Sequence, residues 1–170
     1  LMGEQSQRML SIIQDLLTLS SIESSPPPQD QRVDMTSLID KLQRDAVALS
    51  AGRHRIVLDS EGQGDLLGSE SELVSALANL VSNAVRYTPT GGTITLCWRV
   101  SPKGAEFAVQ DTGIGIDPEH IPRLTERFYR VDRGRSRSAG GTGLGLAIAK
   151  HSLNRHQATL DITSKPGEGS

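Results

Sequence analysis

Cysteine is almost absent from this chain. A single Cys97 among 170 residues excludes an internal disulfide framework and suits a reducing compartment. Long apolar runs are missing too: nothing approaches the roughly 18 consecutive apolar residues of a membrane span, and no signal-peptide pattern opens the sequence. Net charge is only −2, so no global field argues for nucleic acid or an anionic membrane surface as a partner. Internal repeats and low-complexity segments are also lacking. What remains is 170 residues, 36% hydrophobic, enough for one sizeable core and a small appendage. The chain opens at Leu1 and stops at Gly169-Ser170, from which we expect a piece of something longer.

What is abundant is glycine, and it is concentrated. Gly140-Gly141-Thr142-Gly143-Leu144-Gly145 runs directly into the apolar stretch Leu146-Ala147-Ile148-Ala149. Each interior helix glycine costs roughly 0.5–1 kcal/mol relative to alanine, so the run needs a reason. Bare N–H groups at a helix start, backed by the helix dipole, suit phosphate. A flexible hinge before a core helix has the same composition, and the stretch alone leaves both readings open. Just before it, Arg123, Arg127, Arg130, Arg133, Arg135 and Arg137 form a local basic cluster in a chain of near-zero net charge. The surrounding 127–141 segment is basic, serine-rich and poor in apolar residues, the composition of a mobile loop.

Read in order, residues 1–25 form a helix with an apolar seam, Met2, Met9 and Leu16 recurring every seven residues with Ile12 and Leu19 between them. Ser24-Ser25-Pro26-Pro27-Pro28 ends it, giving a linker at 26–31. A seam with no partner before a linker is expected to find one in another chain. Arg32–Met35 reads as a short strand, Ser37–Ser50 as a helix through Leu38, Leu42, Val47 and Leu49, and Arg55–Asp59 as a strand. After a turn at Gly62–Asp65, Ser69 and Glu72 make a capping box that opens a helix reaching about Tyr87. Strands Thr93–Val100 and Glu106–Asp111 join around Pro102-Lys103-Gly104 as a hairpin. A glycine loop over Asp111–Pro118, a helix over Thr142–His156 and a strand over Thr159–Thr163 complete the chain. Mixed strands and helices with one hairpin predict an α+β two-layer sandwich.

The helix 69–87 carries the sharpest chemical anomaly. Asn79, Asn83, Arg86 and Tyr87 fall on one stripe about 100° wide, opposite Leu73, Leu77, Leu80, Val81 and Ala84. A polar stripe is ordinarily a solvated face, yet such a face favours Lys, Glu or Gln over two mid-helix asparagines. An asparagine carbonyl oxygen is a hard ligand suited to Mg²⁺, which takes few protein ligands and leans on phosphates and water. Arg86 then meets phosphate and Tyr87 stacks on a base. Asp111-Thr112-Gly113-Ile114-Gly115, at the end of a strand, reads as an Asp-initiated turn. It also reads as a carboxylate accepting from the exocyclic amine of adenine, and the two readings are compatible.

With the asparagine helix, Asp111-Thr-Gly-Ile-Gly, Phe128-Tyr129-Arg130 and the glycine stretch in this order, residues 32–170 resemble the catalytic ATP-binding domain of sensor histidine kinases. That domain belongs to the superfamily of gyrase, heat-shock ATPase chaperones and MutL repair proteins. Thr125–Asp132, preceded by Glu119-His120-Ile121-Pro122, looks most like the phosphate-regulon sensor kinases. The resemblance implies a mixed sheet under three helices with a mobile lid at about 131–140, and helix 1–25 is similar to the second helix of the kinase dimerisation domain. It implies Asn83 as the Mg²⁺ ligand with Asn79 its companion, and Arg86 and Tyr87 beside phosphate and adenine. Asp111 matches the adenine-reading position, Gly113 and Gly115 shape the pocket, and Arg130 matches the phosphate-side arginine. Gly141, Thr142, Gly143, Leu144 and Gly145 match the stretch beneath the triphosphate. The catalytic group is then Asn79, Asn83 and Arg130, with ATP and Mg²⁺ bound.

The same resemblance implies a homodimer formed through the N-terminal helix, a response-regulator receiver domain as partner, and no nucleic-acid or direct membrane contact. It also implies a cytoplasmic domain whose parent protein sits in the bacterial inner membrane. Two departures stand out. Thr125 replaces the common phenylalanine, as in the phosphate-sensor branch, and the strand expected after Gly169-Ser170 is missing. His54, His120, His151 and His156 all lack the phosphoacceptor pattern, so the acceptor histidine is expected upstream. Two further readings stand beside the kinase: a non-catalytic nucleotide-sensing or dimerisation module, and a gyrase-type ATP hydrolase. The second normally has a glutamate base where Asn79 stands, and an amide takes no proton from water at neutral pH.

Overall fold

Residues 2–28, 30–130 and 142–170 are described by the computed structural model of this chain. The lid expected at about 131–140 and Gly141 lie outside the described residues. Helix α1 spans Met2–Ser24, followed by strand β1 (Gln31–Val33), helix α2 (Met35–Ser50) and strands β2 (Arg55–Glu61) and β3 (Leu66–Gly68). Helix α3 (Glu70–Tyr87), strands β4 (Thr93–Ser101) and β5 (Gly104–Asp111), a 3₁₀ turn at Ile121–Arg123 and helix α4 (Gly145–Arg155) follow.

The helices start and stop where local chemistry dictates. Asp34 caps α2, its carboxylate accepting from the Ser37 N–H at 3.2 Å, and Ala51 ends the helix in the left-handed region at φ 50°. Met35, Leu38, Ile39, Leu42 and Ala46 make the buried face of α2. Val47 and Leu49, expected on that face, are half-exposed at 54% and 51%: Val47 lies about 100° round the helix from Ala46 and so off the stripe, whereas Leu49 is in line with Leu38 and Leu42 but falls in the last turn before the helix ends at Ser50. Ser69 caps α3 by accepting from the Glu72 N–H. Only half of the expected capping box forms. The Ser69 N–H donates to His156 Nε2 at 3.0 Å, while the Glu72 carboxylate accepts from Arg155 Nε at 2.6 Å.

The sheet is mixed, in the order β2-β4-β5, with β2 parallel to β4 and β5 antiparallel to it. Strands β1 and β3 form a separate antiparallel pair; β3 was not expected, being too short to show a period. The core joins Val33, Leu38 and Leu42 to Leu73, Leu77 and Trp98, and continues through Val81, Ala84 and Val85 to Ile94 and Leu96. Helix α4 packs on α3 through small residues, Ala76 against Ala149, flanked by Leu153. The mixed sheet covered by helices agrees with the α+β expectation.

Two expectations change. Thr159–Thr163 is not a strand. Its exposure still alternates in the strand manner, but β5 meets Ser170 instead: the Asp111 N–H donates to the Ser170 carbonyl at 2.8 Å and the Ser170 N–H returns to the Asp111 carbonyl at 3.2 Å. At its end β5 is thus paired with the chain at 170, and 159–163 makes no ladder among the described residues. The seam of α1 also finds a partner within this chain. Leu19 (2% exposed) and Ile22 (6%) are buried against Leu144 and Ile148, while Met9, Leu10, Ile13, Leu16 and Leu17 stay exposed. No described helix is long and apolar enough to cross a membrane.

Arg155 knots these parts together. Its guanidinium bonds both Glu72 oxygens and the Ser25 and Pro26 carbonyls, and Arg155 and Glu72 are each only 14% exposed. Removing one member of a buried pair strands the other. Arg155→Ala is expected to cost about 3 kcal/mol in urea unfolding, whereas Arg155→Met combined with Glu72→Leu should cost clearly less.

Candidate functional site

One large cavity, of about 1200 Å³, gathers the residues that the sequence singled out. Helix α3 supplies Asn79, Asn83, Arg86 and Tyr87 to its wall; the end of β5 supplies Asp111 and the following loop Ile114 and Gly115; the glycine turn supplies Thr142, Gly143 and Gly145. Tyr129 and Arg130 close another side. The cavity continues along the side of β5 away from β4, past Phe107 and Val109, towards Leu160 and Ile162.

Within the α3 stripe the two asparagines behave differently. Asn83 Oδ1 accepts from Arg86 Nη1 at 3.0 Å, one turn further on. A carbonyl oxygen has two lone pairs, so this bond leaves one for a ligand. Asn79 turns its NH₂ back to the Ser75 carbonyl at 2.8 Å, and its Oδ1 lies against Gly145. A β-carbon on Gly145 would come within 2.8 Å of that oxygen, so glycine there lets α4 begin directly against α3.

Asp111 forms the Asp-initiated turn that its sequence predicts: Oδ1 accepts from the Gly113 N–H at 2.9 Å. The Ser170 N–H reaches the same oxygen at 3.3 Å. Burial pushes the Asp111 carboxyl above its ordinary value, and the Gly113 and Ser170 donors pull it partway back. Gly113 is buried, and a β-carbon there would sit 2.7 Å from the Tyr87 carbonyl, so the Asp111 loop closes directly on the end of α3. A half-buried carboxylate whose second oxygen has no partner among the described residues, in a cavity that Tyr87 also lines and beside close-packed glycines, suits a heterocycle bearing an amine.

The glycine turn is ordered by its neighbours. Gly143 sits at φ +78°, and a β-carbon there would lie 2.8 Å from the Phe128 backbone. Phe128, itself at φ +64°, donates its N–H to the Gly143 carbonyl at 2.9 Å. Glycine is thus required at 143 by the fold itself. Thr142 and Leu144, expected beneath a triphosphate, are turned to α1: Thr142 Oγ1 donates to Asp15 Oδ2 at 2.6 Å and accepts from the Leu144 N–H at 3.2 Å. The Leu144 side chain is fully buried with Leu19 and Ile22.

Several site residues escaped the sequence reading. Ser11, Gln14 and Asp15 of α1 line the cavity. Asp15 carried a signal, since it shares the i, i+4, i+7 stripe of Leu19 and Ile22, where an acid is out of place. Tyr129 is held by a short hydrogen bond to His120 Nδ1 and by the Arg123 guanidinium 4.4 Å above its ring. Nothing in sequence spacing marks that contact.

Comparison with known proteins adds the family. The model described as "Histidine kinase-, DNA gyrase B-, and HSP90-like ATPase" matches residues 68–170. The chain is 54% identical over 171 residues to the "Phosphate regulon sensor protein PhoR" of Pseudomonas aeruginosa, covering 99% of this chain and 39% of that protein. It spans about two fifths of the curated relatives it matches, 40% for the Haemophilus influenzae protein of the same name. Among solved structures, the "Mycobacterial sensor histidine kinase MprB" is similar at TM-score 0.65 and 29% identity, covering 75% of this chain and 80% of that one. Full-length ShkA in complex with AMPPNP matches in fold at TM-score 0.82 and 24% identity, covering 97% of this chain and 35% of that one. With its asparagine helix, Asp111 loop and glycine turn around one cavity, this chain belongs to the family of histidine kinase-, gyrase B- and HSP90-like ATPases.

Proposed function

We propose that the chain is the ATP-binding catalytic part of a two-component sensor histidine kinase acting in phosphate-starvation signalling. The observation that carries the reading is the convergence of Asn83, Arg86, Asp111, Arg130 and the glycine turn on one cavity. Near-complete alignment with a phosphate-regulon sensor supports the pathway. In this reading residues 1–25 are the last helix of a dimerisation domain, 26–31 a linker and 32–170 the catalytic domain. A strand continuing from Ser170 would complete the sheet beside β5, consistent with the paired Asp111–Ser170 bonds. The exposed Met9, Leu10, Ile13, Leu16 and Leu17 suit a homodimer, and a receiver domain of a response regulator is the downstream partner. The parent protein is placed in the bacterial inner membrane, with this domain on the cytoplasmic side.

Asp111 accepts from the adenine amine, Tyr87 flanks the ring, and Arg86 and Arg130 meet the phosphate side. Asn83 fits a Mg²⁺ ligand, because its neutral oxygen keeps a lone pair free and hard cations take oxygen donors. Bound there, Mg²⁺ neutralises charge on the transferring phosphates. The chain positions and neutralises; the nucleophile is a histidine outside it, whose nitrogen bonds to the γ-phosphorus as the bond to the ADP oxygen breaks. Asn79 donates to Ser75 and offers no basic group to activate water, so hydrolysis is the weaker reading.

Mixed with Mg-ATP and a separately made dimerisation segment carrying the acceptor histidine, the chain should place acid-labile label on that segment; free phosphate alone would mean hydrolysis. Asp111→Asn should bind a non-hydrolysable ATP analogue roughly ten- to a hundredfold more weakly while keeping its circular dichroism, as loss of a charged hydrogen bond predicts. The ionised carboxylate is the acceptor, and burial raises its pKa above 3.8. Wild-type affinity should therefore fall on acidification from a point above that value, a decline that calorimetric titration should not find in Asp111→Asn.

A further inference from the structure

We propose that Asp15 of α1 and the phosphates of a bound nucleotide compete for the glycine turn, so that docking of α1 and nucleotide binding oppose one another. The inference rests on the reading of the cavity as a nucleotide site. Three observations carry it. First, the Thr142 hydroxyl, at the start of the turn, is donated to Asp15 Oδ2 at 2.6 Å. That hydroxyl also accepts from the Leu144 N–H, so Asp15 receives, through one relay, the donor end of α4. A carboxylate thus engages the hydroxyl at the start of the turn and, through it, the Leu144 N–H, where the helix end favours negative charge.

Second, Asp15 is inside the cavity. It lines the same space as Asn83, Arg86 and Arg130, the groups assigned to the metal and phosphates. A triphosphate entering that space meets a fixed negative charge and finds Thr142 already engaged, so binding must displace the carboxylate or bear its repulsion.

Third, Asp15 is mechanically tied to the docking of α1. It lies one turn before Leu19 and two before Ile22, the residues buried against Leu144 and Ile148. Glu23 pairs with Arg127, and Arg155 holds the Ser25 and Pro26 carbonyls. Both ends of α4 are therefore held by α1 and the start of the linker. Displacing Asp15 removes the polar end of this interface. By reciprocity, docking of α1 must change nucleotide affinity by the same factor by which nucleotide changes the docking equilibrium.

The test uses the whole chain and a non-hydrolysable ATP analogue with Mg²⁺. Asp15→Ala and Asp15→Asn are titrated beside wild type, with Asp111→Asn as a control on the site. Spin labels at Gln5→Cys and Asn154→Cys report the placement of α1 on α4. Asp15→Ala should bind the analogue about fivefold or more tightly, a typical size for coupling between sites. Asp15→Asn, which keeps an acceptor but loses the charge, should fall between it and wild type. In wild type, saturating analogue should broaden and lengthen the label distance, and Asp15→Ala should show that broader distribution without ligand. If Asp15→Ala binds no more tightly while Asp111→Asn binds more weakly, the site stands and the competition is overturned. Weaker binding by Asp15→Ala would also overturn it, making Asp15 a support for the bound metal. An unchanged label distance on saturation overturns the coupling to docking. If neither wild type nor Asp15→Ala binds the analogue, the nucleotide reading fails and the competition fails with it.

Discussion

Helix α3 must satisfy two environments along one axis, and the rest of the structure is arranged around that demand. Leu73, Leu77, Val81, Ala84 and Val85 are buried in the core, while the polar Asn79, Asn83, Arg86 and Tyr87 are at the cavity wall. A roll of one residue about the axis would carry an amide into the apolar layer, where an unpartnered polar group costs a few kcal/mol. Packing against α2 and the sheet therefore fixes where the polar groups of α3 point. The approach of α4 is set on a third side by Ala76 and Ala149, whose small size brings the two backbones close. That closeness is what places Gly145 against the Asn79 oxygen.

Much of this was legible because it follows from periodicity and from residues whose conformational preferences are strong. The capped start of α3 at Ser69, its end at Tyr87 and the hairpin at Pro102-Lys103 are local events, and the structure has them as the sequence predicts. The Asp111 turn is local as well, needing only its own carboxylate and the N–H two residues on. Long-range contacts were not readable. Glu72 has the right spacing for a capping box, yet Arg155, 83 residues away, takes its carboxylate, and His156 takes the N–H that the carboxylate was expected to bond. The alternation at Thr159–Thr163 is real, but a strand needs a neighbour at hydrogen-bonding distance, and alternation carries no information about that. The seam of α1 showed that the helix had an apolar side without showing which partner would cover each part of it. Its last turns are covered by α4 and its earlier ones are exposed.

Helix α4 consequently has an uncommon position. One flank packs on the helix that bears the asparagines and the other on α1, and its first turn grows out of the glycines. A rigid body held between two surfaces transmits displacement from one to the other, provided that both contacts are packed and neither is merely fluid. The pairing of small residues on one flank with Leu144 and Ile148 on the other meets that condition.

The bonds between Asp111 and Ser170 bear on how the molecule is made. The carboxylate at the end of β5 is held by an N–H that lies 59 residues further along the chain. During synthesis from the N-terminus, α2, α3 and the β4–β5 hairpin can all assemble before that donor exists, and the Asp111 carboxyl then lacks one of its two backbone partners. The scaffold is thus able to form early, while the Asp111 side of the cavity gains the arrangement described above only once Ser170 has been added. Until then a nascent chain has a core and no finished pocket.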